Sequence, residues 1–264
     1  MHIDSLWRYP IKGLSAESLP FVDLVKGYGF SFDRGYAVTD GSFLFDERRP
    51  EPMPKTRFLM LAKYERLALL KTRLDHETRE LTVKEGDVMR SFRLGESNGR
   101  AALAKFLTDF LDVPLPGPAE VVHATGHQFT DVSLHSTELM RSISLINLAT
   151  VRDLQRHTGR ALDPLRFRAN LYFDGTEAWS ELDWLGKHLR CGDVLLRVVR
   201  RTNRCPATSV NPDNGTRDIN LPVAIRKYRN HGDCGVYAEV LADGRLQPGS
   251  TIEYLSGAVN PPLV

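Results

Sequence analysis

Cysteine is scarce in this chain: Cys191, Cys205 and Cys234 are the three in 264 residues. An odd number at wide spacings fits neither a disulfide framework nor a zinc ribbon. It also excludes a plant-type ferredoxin cluster, which needs four thiolates with tight internal spacing. If the chain carries out redox chemistry, its electrons come from another protein. Long apolar runs are lacking too. No stretch of about eighteen apolar residues offers a membrane span, and the N-terminus enters strand-like sequence with no apolar signal region. The expected location is therefore cytoplasmic. Net charge is close to nil, with 35 Lys plus Arg against 33 Asp plus Glu. That balance argues against the broad positive footprint of a nucleic-acid binder. Phosphate-loop, dinucleotide and serine-hydrolase fingerprints are missing: Gly27, Gly29 and Gly35 read as turn glycines, and no Gly-x-Ser-x-Gly occurs. His123 and His127 have the spacing of a helical metal pair, but Gly126 lies between them and no third ligand follows.

What is present is an ordinary globular composition, 42% apolar and 26% charged, long enough for one large domain or two small ones. Charge matters locally. Arg200, Arg201 and Arg204 cluster around Cys205, directly after the strand-like run Asp193 to Val199. Cations so close favour a thiolate, which is a nucleophile or a soft-metal ligand. The plainer reading is that a free cysteine behaves as a small buried hydrophobe.

Local patterns predict a strand-rich fold with a few helices. Asp40-Gly41, Glu85-Gly86, Asn214-Gly215 and Asp243-Gly244 each sit between apolar or alternating runs and predict hairpins. Helical spacing of Leu103, Phe106, Leu107, Phe110 and Leu111 predicts a helix from Gly99 to Asp112. A second is expected from an Asn147 N-cap to Gly159, burying Leu148, Val151 and Leu154. A third is expected to start with Pro222 at its first position and carry Ala224, Ile225 and Tyr228. A short helical turn is expected around Thr56 to Ala62. The prolines of Val113 to Pro118 can neither continue a helix nor enter a central strand. They divide the chain into an N-terminal domain, 1–118, and a second, 119–264, with the site in the cleft between them.

Several segments resemble the MOSC domain family, named after the C-terminal domain of molybdenum cofactor sulfurase. They are Tyr9-Pro10-Ile11-Lys12-Gly13-Leu14, Asp33-Arg34-Gly35-Tyr36-Ala37-Val38, Phe167-Arg168-Ala169-Asn170-Leu171, Arg204-Cys205-Pro206 with the turn Asn211 to Gly215, and Gly235-Val236-Tyr237-Ala238-Glu239-Val240. The resemblance implies an α+β, β-rich fold with two β-barrel-like subdomains and peripheral helices. It also implies a molybdenum–molybdopterin cofactor with Cys205 as metal ligand and catalytic centre. Lys12, Gly13, Arg34, Asn147, Arg168, Asn170 and Tyr237 would then surround the cofactor, the cations on its phosphate. Asn147 has the alternative of a simple N-cap, and Asp213 that of a turn residue in place of a proton donor. Two departures stand out: Gly13 replaces the serine of the amidoxime-reducing relatives, and Ala169 replaces a proline.

The implied activity is reduction of N-hydroxylated or other N-oxygenated small molecules with electrons from a ferredoxin, flavodoxin or cytochrome b5-like donor. Carriage of the cofactor or of sulfur without turnover is the alternative, and a metal-free reactive thiol is a third. The resemblance also carries a family-level association with pyridoxal phosphate. Neither nucleic acid nor a membrane span is expected.

Overall fold

The structure is a computed structural model that describes residues 1–255; the end of the expected second domain, 256–264, lies outside the described residues. The fold is strand-rich α+β. Among the described residues there are four helices: α1 (Ser97–Leu111), α2 (Thr137–Met140), α3 (Leu148–Thr158) and α4 (Leu221–Arg229). None is long and apolar enough to cross a membrane.

An eight-stranded sheet organises the molecule, in the order Glu253–Leu255, His188–Cys191, Val194–Asn203, Asp233–Ala242, Ile143–Asn147, Leu171–Asp174, His2–Arg8, Glu17–Leu19. Strand Ile143–Asn147 is buried at every position, as a strand covered on both faces must be. It runs parallel to Leu171–Asp174, and a parallel neighbour requires a crossover. Helix α3 supplies most of it. Asn147 opens α3 by accepting the Ala149 amide on Oδ1 at 3.0 Å, and Gly159, at φ 64°, ends it in the left-handed region. Both ends of this helix were legible in the sequence.

The first two strands sit at one edge of this sheet, His2–Arg8 pairing with Leu171–Asp174. The N-terminal segment thus shares a sheet with the second half of the chain. A separate core, including Leu59, Leu70, Leu81, Leu103 and Leu107, fills the space between α1 and the antiparallel meander Leu70–Leu74, Glu80–Glu85, Val88–Arg93. Val210, from the segment after Cys205, joins this core as well.

Some local expectations give way to tertiary structure. Glu85-Gly86 makes an ordinary hairpin. Asp40-Gly41 does not: strand Tyr36–Val38 pairs with the distant Val121–His123, and Gly41, at φ 77°, lies against the Gly117 backbone, where a Cβ would come within 2.2 Å of the carbonyl oxygen. Asp243-Gly244 leads to a strand that pairs with Val22–Leu24, away from its predecessor. Asn214-Gly215 closes a loop joined by a single bridge, Val210 to Arg217. The expected helical turn at Thr56 to Ala62 is limited to a 3-10 turn at Lys55–Arg57, because Phe58 bridges to Thr39 as extended backbone.

Under the sheet lies a buried acid. Glu181 is 0% exposed, with Thr150 Oγ1 donating to its carboxylate at 2.9 Å and Asn147 Nδ2 at 3.3 Å. Burial raises its pKa to about 7 against the offsetting effect of these bonds and of Arg204. Folding then takes up a proton between about pH 4.5 and 7. The stabilisation from the protonated form is complete below about pH 4.5 and lost as pH rises through 7, by at most about 3 kcal/mol. Glu181→Gln is expected to remove this downward slope, read as the difference between the two proteins' urea-unfolding free energies across that window.

Candidate functional site

A cavity of about 320 Å³ opens where the N-terminal segment, the loop after Phe129 and the end of strand Val194–Asn203 meet. That volume falls in the roughly 300–1,000 Å³ range of small-molecule sites. Lys12, Gly13, Arg34, Arg168, Asn170, Cys205 and Tyr237 all line it. Asn147 does not. It is fully buried as the cap of α3, with Nδ2 donating to the Glu177 carbonyl at 2.7 Å, so its amide serves the fold. Asp213 also stays outside, in the turn its amide closes on Asn211 Oδ1.

The first wall is made by laying Tyr9 to Gly13 against Arg34 to Tyr36. Arg34 N donates to the Tyr9 carbonyl at 2.7 Å, and Lys12 N to that of Tyr36 at 2.8 Å. Gly13 closes this segment at φ 88°, where a Cβ would stand 2.7 Å from the Leu59 carbonyl oxygen. A serine side chain does not fit this backbone without movement. Arg34 and Arg168 are both left-handed, at φ 47° and 52°, a conformation that costs a non-glycine residue about 1 kcal/mol or more and clusters at functional sites. Both guanidiniums lie over the buried Tyr9 ring, at 4.3 and 4.4 Å from its centroid. Arg34 Nη2 donates to the Arg168 carbonyl at 2.7 Å, and Arg168 Nη1 to that of Leu14 at 2.8 Å. Arg34 Nη1 also pairs with the buried Asp33 carboxylate, so stacking, carbonyl acceptors and one counter-ion hold two like charges together in place of water.

The second wall is a charge triad. Asp131 accepts from Lys12 Nζ at 2.6 Å and from Lys55 Nζ at 2.9 Å. Burial works to raise the Asp131 pKa, but the two ammoniums override it and hold the carboxyl well below the usual range. Lys12 has only 8% of its side chain exposed. There desolvation prevails and lowers the pKa despite Asp131. For Lys55, burial is outweighed by Asp131 and by the nearby Cys205, so its charge is favoured.

Strand Val194–Asn203 delivers Cys205 to the third wall. The thiol is half-buried, whereas Cys191 and Cys234 are buried and pushed up to about 12 by desolvation. The neighbouring arginines are not aimed at the sulfur as the sequence suggests. Arg204 Nε donates to the Cys234 carbonyl at 2.6 Å and Nη1 to that of Phe167 at 2.7 Å, while Arg201 Nε reaches the Leu182 carbonyl at 2.7 Å. Lys55 lies in electrostatic reach of the thiol. Arg204 Nη2 and Thr202 Oγ1 are buried and without a partner, and both residues line the cavity. Asn170 lines it too, but its Oδ1 already accepts from Ser144 N and Oγ at 3.1 and 2.9 Å. Lys55, Asp131, Thr202 and Tyr9 in its stacking role were not read from the sequence. Tyr9 stood inside a quoted motif, whereas Lys55, at the start of a 3-10 turn, and Asp131 belong to no motif of their own.

Residues 1–114 match the family described as MOSC N-terminal beta barrel domain, and residues 127–253 match the MOSC domain. The chain belongs to the MOSC family. It is 26% identical over 140 residues to mitochondrial amidoxime-reducing component 1 of Homo sapiens, covering 48% of this chain and 40% of that protein. It is 34% identical over 88 residues to mitochondrial amidoxime reducing component 2 of Rattus norvegicus, 33% of this chain and 25% of that one. With molybdenum cofactor sulfurase of Caenorhabditis briggsae it shares 31% over 113 residues, 41% of this chain and 15% of that protein. The match thus spans well under half the length of each of these relatives. Among solved structures, YUAD protein from Bacillus subtilis aligns with 95% of this chain and 93% of its own at a TM-score of 0.41 and 12% identity. YiiM from Geobacillus stearothermophilus aligns with 43% of this chain and 54% of its own at a TM-score of 0.35 and 23% identity.

In this MOSC chain the glycine after the lysine is a backbone requirement. Gly13→Ser is expected to cost about 1–3 kcal/mol, since it adds a side chain at positive φ against a backbone carbonyl. Chemical denaturation checks this, and wild-type stability in the serine variant would contradict it.

Proposed function

We propose that this protein binds the molybdenum–molybdopterin cofactor in the cavity and reduces N-hydroxylated or other N-oxygenated small molecules with electrons from a separate donor protein. The observation that carries the reading is the coincidence of one accessible thiol with a cationic wall. Cys205 is the half-buried cysteine, and it lines the same cavity as Lys12, Arg34 and Arg168. A thiolate suits a soft or high-valent metal. Guanidiniums held in fixed forks suit phosphate oxygens. The unpartnered Arg204 Nη2 and Thr202 Oγ1 fit a polar ligand, because buried donors without acceptors are costly.

In this reading Cys205 holds the metal, while Lys12, Arg34 and Arg168 hold the phosphate. The positions of the two arginines are set by the Tyr9 ring and by carbonyl acceptors. When bound, the cofactor supplies removal of oxygen from the substrate nitrogen, the oxygen leaving as water after uptake of an electron pair and two protons. Asp131 keeps Lys12 and Lys55 in place as their shared counter-ion. Tyr237, half-buried in strand Asp233–Ala242, lines the same cavity. We further propose that the two halves, 1–118 and 119–264, are barrel-like units that meet at the proline segment and interlock through strands His2–Arg8 and Glu17–Leu19, which lie in the sheet of the second half.

The match to a molybdenum cofactor sulfurase supports carriage as the competing reading. Molybdenum by plasma mass spectrometry, paired with reduction of benzamidoxime by reduced methyl viologen, separates the cases. Near-stoichiometric metal with turnover, both lost or made labile in Cys205→Ser, is the expected result. Loaded metal without turnover assigns a carrier. No molybdenum from a host that loads a control molybdoenzyme contradicts both.

A further inference from the structure

Eight cationic residues line the cavity against two acidic ones, in a chain whose net charge is +2. Lys12, Arg34 and Arg168 are assigned above to the cofactor phosphate. Three more are anchored within the protein: Arg201 and Arg204 to backbone carbonyls, Arg204 keeping one unpartnered nitrogen, Nη2, and Arg166 to Asp218 at 2.6 Å. Lys55 and Arg200 remain. Lys55 shares the single carboxylate of Asp131 with Lys12, so the triad carries an uncompensated positive charge. Arg200 is exposed and lines the cavity, and its side chain forms no hydrogen bond or ion pair among the described residues. The ladder between strands Val194–Asn203 and Asp233–Ala242 shifts register on both sides of it, between Val198 and Arg200 and between Arg201 and Asn203. Such bulges redirect side chains and recur beside active sites.

We propose that the substrate carries an anionic group, a carboxylate or phosphate, in addition to its N-oxygenated end, and that Lys55 and Arg200 hold that group beside Cys205. The proposal rests on the reductase reading and names its substrate class. A small ligand fits better than an acidic protein surface. Lys55 has 34% of its side chain exposed, within a wall that includes Lys12 and Phe129, where a ligand inside the cavity reaches it more readily than a docked surface does. The same cations suit a second phosphate on a nucleotide-extended cofactor, so the experiment must tell the two anions apart.

The test compares equilibrium binding of benzamidoxime and 4-carboxybenzamidoxime to molybdenum-loaded, oxidised protein by calorimetry, at low and high salt. The pterin content and form of each preparation are determined by mass spectrometry. Wild type is expected to prefer the carboxylated compound by about tenfold, which is about 1.4 kcal/mol. The preference should shrink towards unity in Lys55→Gln, in Arg200→Gln and at high salt. Equal affinity for the two compounds in wild type overturns the proposal, as does a preference retained in both variants. Loss of pterin from the variants assigns these cations to the cofactor and likewise overturns it. A variant effect confined to the rate with a protein donor would place them at the donor's docking surface, with the same consequence. Anion preference without benzamidoxime reduction leaves the subsite standing and removes the reductase reading, so the two failures are distinguishable.

Discussion

Burying several cations around one small cavity is the constraint on which the site depends. Each loses hydration, and in a low-dielectric wall their mutual repulsion is strong. The effect is visible in the lowered pKa values of Lys12 and Arg168, for which desolvation is the leading cause. The protein compensates incompletely, with backbone carbonyls for Arg168 and Arg204, Asp33 for Arg34, Asp131 for two lysines, and an aromatic ring beneath two guanidiniums. What is left over is positive potential directed at whatever enters. An anionic ligand completes the electrostatics, and that is why the cavity reads as a binding site before any particular ligand is considered.

The fold makes this crowding possible by interleaving distant segments. Arg204 ties three of them together: its amide donates to the Gly232 carbonyl at 2.9 Å, and its side chain reaches the carbonyls of Cys234 and Phe167. That staple fixes Cys205 at the end of a strand that is itself the third in an eight-stranded sheet. On the opposite wall, Arg34 reaches across to Arg168, joining the first and second halves of the chain through one hydrogen bond at 2.7 Å. The left-handed backbone of both arginines is tolerated because such contacts over-determine it.

Legibility in the sequence followed the range of the interactions. Helix α3 was readable end to end, because an asparagine cap and a glycine stop act within a few residues. Helix α1 was readable from its apolar spacing, although its observed start, Ser97, precedes the expected one. The hairpin expectations at Asp40-Gly41 and Asp243-Gly244 failed because strand pairing there is decided by partners far along the chain. In the site, the motif-borne residues Lys12, Arg34, Arg168 and Cys205 converge on one cavity. Asn147 was drawn away by the cap and by Glu181, and the expected arginine–thiol proximity was redirected to carbonyls. Lys55 and Asp131 were invisible because only the folded chain brings segments 76 residues apart into one ion pair.

In the proposed reading Cys205 presents its sulfur to a molybdenum held by a cationic cavity. The most direct test is the molybdenum X-ray absorption fine structure of the loaded protein, compared between wild type and Cys205→Ser at equal metal content. One sulfur neighbour fewer around the metal is expected in the variant. An unchanged sulfur shell would contradict it, because the thiol would then stand beside the metal without binding it.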